Sequence, residues 1–352
     1  MPHDPSAAIE GVPTGTAALL GEAAKGPVAQ PVLVTSLTEF QRTFGAPVAG
    51  SELFLGVSQF FANGGRRAWI VRLRGGGVPA VRRGLSALEI EDDVGLLCLP
   101  GLTGGRVLAA AAAAARKRGV FYLADPEASR AATVDALRRV PPADAAYMAV
   151  HFPRLLVTDP LKPSATHACG PAATVAGVMA RLDRDRGVWA AAAGTDVRVQ
   201  GAVGPASTVS AAVADRLRAE GINPIREIPG HGLVLWGARA AGGSGEWRYV
   251  PVRRLALYLE HSIDRGLGWV VFEPNDEPTW SRVRAAVGAF LDGVFQAGAL
   301  AGPTPATSFY VRCGADTMTQ RDIDRGILNV EVGVAPLRPA EFVHIRIRRP
   351  AR

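Results

Sequence analysis

Apolar positions along the chain fall into three successive patterns. Residues 1–30 are rich in Gly, Pro, Ala and Thr with sparse apolar side chains, which predicts an extended arm. A strand over Pro31–Thr35 leads to Ser36 and Glu39, whose spacing is that of a capping box, and Gly45 closes the short helix they open. Leu53, Phe54, Val57, Phe60 and Phe61 recur at helical spacing up to Asn63-Gly64-Gly65, and Ala68–Leu73 then reads as a strand. The stretch predicts one βααβ unit.

Gly75–Gly84 reads as a break, and from about Val94 strands alternate with helices. Strands are expected at Leu96–Leu99, Val120–Ala124 and Tyr147–Phe152, and helices at Arg106–Arg118, Ser129–Val140, Ala172–Arg186 and Ser207–Glu220. Strands separated by helices of this length imply right-handed crossovers and a largely parallel sheet covered on both faces. Beyond Gly242–Gly245 the pattern changes again. A helix is expected over Val252–Arg265, a strand over Trp269–Phe272, and a second helix over Pro278–Gln296, striped by Trp280, Val283, Val287, Phe290, Leu291 and Val294. Phe309–Arg312 and Leu328–Val334 read as strands. In Phe342–Arg349, Val343, Ile345 and Ile347 alternate with His344, Arg346 and Arg348, the period of a strand. The fold class is α/β, with extended arms at both ends.

Composition narrows the picture. A chain of 352 residues with 48% hydrophobic and 20% charged residues has the material for about two folded domains, and its 40 glycines and 26 prolines fit many turns and connecting arms. Val107–Ala115, its longest apolar run, is well short of the roughly 18 residues that span a bilayer, so no membrane insertion is expected. Met1–Gly11 lacks the basic and apolar regions of a secretory signal, which predicts synthesis in the cytoplasm. Cys98, Cys169 and Cys313 lie far apart, outside any CxxC or zinc-ligand spacing, and read as buried thiols. The net charge of +7 invites a nucleic-acid reading. Yet 36 of the 39 basic residues are arginine, spread in pairs without interleaved aromatic residues, so no nucleic-acid partner is expected.

The chemical motifs are weak. Gly75, Gly77 and Ala80 match a dinucleotide fingerprint, but no helical stripe follows them, so a hinge is the preferred reading and no cofactor is expected. GxxxxGK[ST] does not occur. Asp125, His151 or His167, and Ser207 or Ser210 stand in an order compatible with a hydrolytic triad, but no serine lies in a GxSxG elbow. A serine hydrolase of α/β fold therefore stands only as an alternative, and neither a catalytic residue nor a metal ligand is assigned. Glu273-Pro274-Asn275-Asp276-Glu277 reads as a solvated loop capping the helix behind it.

Several stretches, in order and spacing, resemble the contractile tail sheath family, whose subunits polymerise around the inner tube of phage tails, R-type bacteriocins and phage-tail-like injection systems. They are Gly11–Thr16 leading to Gly26-Pro27; Phe60–Gly65; Val234–Arg239 with Trp247–Leu255; Phe272–Asn275 with Trp280; Gly298–Gly302; Asp322-Ile323-Asp324; and Ala335-Pro336 with Pro339–Phe342. The resemblance implies an extended N-terminal arm (1–25), an inner, tube-facing domain (26–87 with 247–334), an outer α/β domain (88–246), subtilisin-like in fold only, and a C-terminal arm strand (335–352). It implies no enzymatic activity. Implied partners are further copies in a helical homopolymer of stacked rings, an inner tube protein, and baseplate and terminal cap proteins, assembled into a phage tail or a phage-tail-like particle released outside the cell. Arms donated to a neighbour's sheet would link subunits, through Ile9, Gly11, Val12 and Thr16 at one end and Phe342, Val343, His344, Ile345, Arg346, Ile347 and Arg348 at the other. The local alternative is that 342–349 pairs within its own sheet. Arg282 and Arg284 are the candidates for contact with an acidic tube, against simple solvent exposure.

Overall fold

A computed structural model describes residues 8–243, 245–337 and, through its backbone alone, 343–350. Two units emerge: one is Pro13–Arg253, and the other joins the residues up to Val12 to Arg254 and beyond.

The larger unit runs β1 (Ala17–Gly21), β2 (Pro31–Val34), α1 (Leu37–Phe44), α2 (Leu53–Ala62), β3 (Ala68–Arg72), α3 (Val78–Ala87), β4 (Leu96–Cys98), α4 (Gly105–Arg118) and β5 (Phe121–Ala124). It continues through α5 (Arg130–Leu137), α6 (Pro142–Ala145), β6 (Met148–Phe152), β7 (Leu155–Asp159), β8 (Lys162–Cys169), α7 (Ala172–Arg186), β9 (Gly204–Pro205), α8 (Ala211–Ala219), β10 (Ile222–Ile228) and β11 (Gly232–Leu235). Eight strands form one sheet in the order β11-β10-β6-β5-β4-β1-β3-β2, parallel from β10 to β3 and closed at each edge by an antiparallel strand. Side chains alternate across it. Leu20, Val71, Leu97 and Tyr122 meet the apolar faces of α3 and α4 in one core, while α2 and α7 pack together over the other face. A second sheet, β8-β7-β9, is antiparallel.

Four expectations are corrected here. The N-terminal arm does not extend to residue 25: Ala17–Gly21 is fully buried and pairs in parallel with both β3 and β4. A five-residue run of Ala, Leu and Gly carries no alternation because both of its faces are covered, as in central parallel strands. Nor does a domain boundary fall near 88, since β1, β2 and β3 share their sheet with β4 through β11. The expected break at Gly75–Gly84 holds α3, whose first turn contains Pro79. Its buried face of Ala80, Val81, Gly84 and Leu85 escapes a search for large apolar residues, and Gly84 is required there because a Cβ would lie 2.5 Å from Leu73. The helix expected over Ser207–Glu220 spans only Ala211–Ala219, with Ser210 as its N-cap.

The smaller unit contains most of α9 (Val250–Gly266), then α10 (Glu277–Gln296), α11 (Pro305–Ser308), β12 (Phe309–Arg312), α12 (Gln320–Asp324), β13 (Ile327–Val334) and β14 (Val343–Pro350). Its sheet has the order β12-β13-β14 and is antiparallel. The strand expected at Trp269–Phe272 is a 3-10 turn, Gly268–Phe272, in which only Val270 is buried. The α10 stripe buries Trp280, Val283, Val287, Leu291 and Val294 as expected, whereas Phe290, expected in the same stripe, is only half-buried.

Candidate assembly elements

The N-terminal segment lies on α9 of its own chain. The Val12 amide donates to Ser262 Oγ at 3.0 Å, and Ser262 Oγ donates to the Tyr258 carbonyl at 2.6 Å, the back-bond that a mid-helix serine makes when it is not facing water. Ile9 is buried where Gly266 lacks a side chain, since a Cβ there would fall 2.7 Å from Ile9 Cγ1. Gly11 is equally constrained, because its Cβ would meet the Tyr258 hydroxyl. Small residues on α9 thus form the seat for residues 9–12. Thr16 belongs elsewhere: it is buried in the larger unit, where its carbonyl accepts from the Gly95 and Leu96 amides.

The C-terminal strand also pairs at home. β14 runs antiparallel to β13 from Val343 opposite Val334 to Pro350 opposite Ile327. Residues 343–348, expected to be donated to a neighbour, pair with β13 in the single chain, the arrangement of the local alternative. Without a second copy, the hydrogen-bonding groups along β13 are best satisfied by the strand already tethered to it. Phe342 lies outside the described residues.

Arg282 and Arg284 are not free cations. The Arg282 guanidinium stacks 4.3 Å from the Trp269 ring centre and pairs with Glu273 at 2.9 Å. Arg284 pairs with Glu277 at 2.5 Å and donates to the Cys313 carbonyl. Those ion pairs, with Asp276 accepting from the Thr279 amide at the start of α10, account for the charges of the acidic loop.

Of the triad candidates, Asp125 and Ser210 are engaged by backbone amides. Both Asp125 oxygens accept backbone amides, from Gly101 at 2.9 Å and Ala172 at 2.7 Å. His151 is buried in β6, and burial depresses its pKa to about 3, so it is a poor proton acceptor near neutrality. Ser210 spends its oxygen on the Val213 amide, and Ser207 is exposed ahead of the helix. His167 lies on β8, 4.0 Å from the Glu52 carboxylate. All three cysteines are buried, and burial pushes the thiols of Cys169 and Cys313 up to about 12, where the nucleophilic thiolate is scarce. At the dinucleotide-like loop, Leu102 lies 2.8 Å from the place a Gly76 Cβ would occupy and Glu22 carries a carboxylate beside Gly75, a poor setting for a pyrophosphate. Among the described residues no cluster of three or more His, Cys, Asp or Glu side chains is arranged to hold a metal ion, and no helix is long and apolar enough to cross a membrane.

The Phe60–Gly65 motif has a structural task that its sequence alone did not reveal. Asn63 is fully buried; its Nδ2 donates to the carbonyls of Gln59 (2.9 Å) and Gln200 (3.0 Å), and its Oδ1 accepts from the Gln200 amide (2.8 Å). Gln59 Nε2 donates to the Gly201 carbonyl at 2.9 Å, and Arg181 reaches the carbonyls of Asn63 and Arg198. These bonds clamp a strap that lacks regular structure of its own, around 198–201, to α2 and α7.

The larger unit is thus built on an eight-stranded, mostly parallel sheet, and the smaller one on an antiparallel sheet completed by β14. Comparisons with known proteins give the class. The phage tail sheath C-terminal domain model matches residues 244–349. The chain is 28% identical over 174 residues to the tail sheath protein of Enterobacteria phage T4, a stretch covering 49% of this chain and 26% of that protein. It therefore matches about a quarter of that curated relative's length. The helical sheath of the anti-feeding prophage in its contracted state superposes with TM-score 0.82 at 28% identity, over 98% of this chain and 96% of that one. The contracted sheath of an extracellular contractile injection system, PVC, gives 0.78 at 28% identity, over 97% and 94%. A sheath tail protein from Listeria innocua shares the fold, with TM-score 0.72 at 11% identity over 97% and 96%. The chain is thus similar to contractile tail sheath proteins, through its C-terminal domain in sequence and over nearly its whole length in fold.

Proposed function

We propose that this protein is the sheath subunit of a contractile injection system, polymerising with copies of itself around an inner tube and shortening from an extended, metastable lattice to drive that tube into a target envelope. The observation that carries this reading is end-to-end similarity to a helical sheath, with 98% of this chain superposing on 96% of the other. The work would come from contact area gained between subunits on contraction, without nucleotide chemistry. The engaged side chains of Asp125 and Ser210 and the depressed pKa of His151 favour a non-enzymatic role. Baseplate and terminal cap proteins are the partners expected at the cylinder ends, and a baseplate of the anti-feeding prophage contains a chain that superposes with TM-score 0.80.

Subunits would be joined by exchange of the terminal segments. β14 on β13 is a single ladder of eight residue pairs, and the same register is available to the equivalent strand of another copy. In a head-to-tail sense such exchange does not close on itself, so it builds a filament. The N-terminal segment on α9 is the second candidate link. Arg282 and Arg284, with side chains 40% and 35% exposed, are the residues through which the smaller unit would touch the tube.

Negative-stain microscopy of the expressed protein tests the proposal: the full chain should form tubes, and a chain lacking residues 341–352 should fold but form none. Tubes from the truncated chain would overturn the arm mechanism, and an active hydrolase lost on Ser207→Ala would overturn the non-enzymatic reading.

A further inference from the structure

At the C-terminal end of the main sheet, two carboxylates flank the turn at Gly170–Ala172, and one of them holds a guanidinium. Asp125 follows β5 and is buried, with its two oxygens held by the amides of Gly101, after β4, and Ala172, at the start of α7. Glu52, the N-cap residue of α2, accepts from the Gly170 amide at 2.7 Å and pairs with Arg154. Arg154, just ahead of β7, also donates to the Ala168 carbonyl at 2.9 Å, next to the end of β8. The side chains of Glu52 and Arg154 are each only 15% exposed. Gly170 closes the pocket, because a Cβ at that position would lie 1.9 Å from Asp125 Cγ. Five separate pieces of backbone meet here, and with both acids ionised the cluster carries a net charge of −1 with little water to screen it.

We propose that Asp125, Glu52 and Arg154 form a proton-operated clasp that ties the β7–β8 hairpin and the start of α7 to the sheet, and that the clasp is tighter in mild acid than at neutral pH. Protonating Asp125 removes the repulsion from Glu52 and leaves Arg154 matched to one carboxylate. The other groups facing Asp125 are Cys98 on β4, Cys169 at the end of β8 and Tyr122 on β5, while His167 faces Glu52 from β8. None of the thiols or the phenol supplies positive charge, and burial pushes all three away from ionising. Burial first, and Glu52 second, raise Asp125 to about 6, against the lowering pull of the two amides and Arg154. A folded-state value above the unfolded one means that the closed clasp binds a proton the open one releases, so closure weakens as pH rises towards 6 and is weakest above it.

The test is amide hydrogen exchange on the full-length protein at pH 5 and pH 7.5, with protection factors corrected for the intrinsic rate. Protection of the Gly101, Gly170 and Ala172 amides should be about tenfold higher at pH 5, the ratio expected when opening drops Asp125 from about 6 to its ordinary value. The Leu235 amide, remote from the clasp in the same sheet, serves as the reference for global opening. Asp125→Asn should abolish the tenfold difference. Glu52→Gln, which keeps Asp125 but removes its repulsive neighbour, should shrink that difference, and it decides the matter if Asp125→Asn does not fold. Equal protection at both pH values in the unsubstituted protein, or a tenfold difference surviving in either variant, would overturn the proposal.

Discussion

Replacing Asn63 with alanine tests whether the strap around Gln200 is held by the amide side chain rather than by its own backbone. Three hydrogen bonds between 2.8 and 3.0 Å disappear, and the Gln200 amide and carbonyl lose their partner in a part-buried setting. At about 1 kcal/mol net per bond the loss is about 3 kcal/mol, with unsatisfied backbone groups adding to it rather than relieving it. For a folded unit of this size that corresponds to a melting point lower by about 6–12 °C. Asn63→Asp sharpens the test: it keeps an acceptor for the Gln200 amide but turns a carboxylate oxygen towards two carbonyl oxygens, so it should cost more than alanine despite its closer shape. Calorimetry or urea unfolding gives the magnitudes, and exchange at the Gln200 amide locates them. A loss below about 1 kcal/mol for Asn63→Ala, or an aspartate variant milder than the alanine one, would refute the argument that this amide is the clamp.

Three further outcomes are expected. Gly177→Ala places a Cβ 2.3 Å from the Phe60 carbonyl oxygen where α7 crosses α2, and overpacking of about 1–3 kcal/mol should exceed the roughly 1 kcal/mol that alanine gains as a helix former; urea unfolding would reverse this view by finding the variant more stable. Arg282→Ala removes a part-exposed ion pair and the stacking on Trp269, a loss of about 1–2 kcal/mol, whereas Glu273→Gln leaves the stacking and should cost less than half of that in the same assay. His151 is held neutral by burial, with a folded pKa of about 3 below its ordinary 6.5, so its contribution is present above pH 6.5 and is lost as pH falls towards 3. The acid loss of stability should therefore be shallower in His151→Gln, and an identical pH profile would remove this histidine from the account.

How much of this was legible in the sequence depended on which periodicity survived burial. Amphipathic elements were readable, because α10 and β13 each present one wet face and the apolar spacing follows directly. Elements covered on both sides were not: β1 shows no alternation, and α3 buries alanine and glycine where a helix search expects leucine. The domain boundary then went astray for the same reason, since missing β1 hides the strand that joins β3 to β4. At the candidate sites, Ser36, Ser210 and Asp276 capped helices as local rules dictate. The partners of Asn63, Asp125 and Arg154 lie far away in sequence, at 137, 47 and 102 positions for Gln200, Ala172 and Glu52, and no local pattern encodes them.

The pairing of β14 with β13 inside one chain bears on assembly in a way that reinforces exchange. A strand that fits its own sheet over eight residue pairs fits the identical sheet of a neighbour equally well, so the two arrangements share the same ladder and differ in how the connecting residues run and in the entropy of association. An exchanged strand costs no new recognition surface, and it leaves no unpaired edge on β13 in either state. In a polymer the local concentration of neighbouring strands is high and the association cost per link falls, which tilts the balance from the tethered strand to the exchanged one. Paired cysteines at Val332→Cys and Ile345→Cys, which are register partners in the ladder, discriminate the two states: assembled material should cross-link into chains of subunits and isolated protein within single chains. Intramolecular bridges alone in assembled tubes would mean that the strand stays at home and the cylinder is held by other contacts.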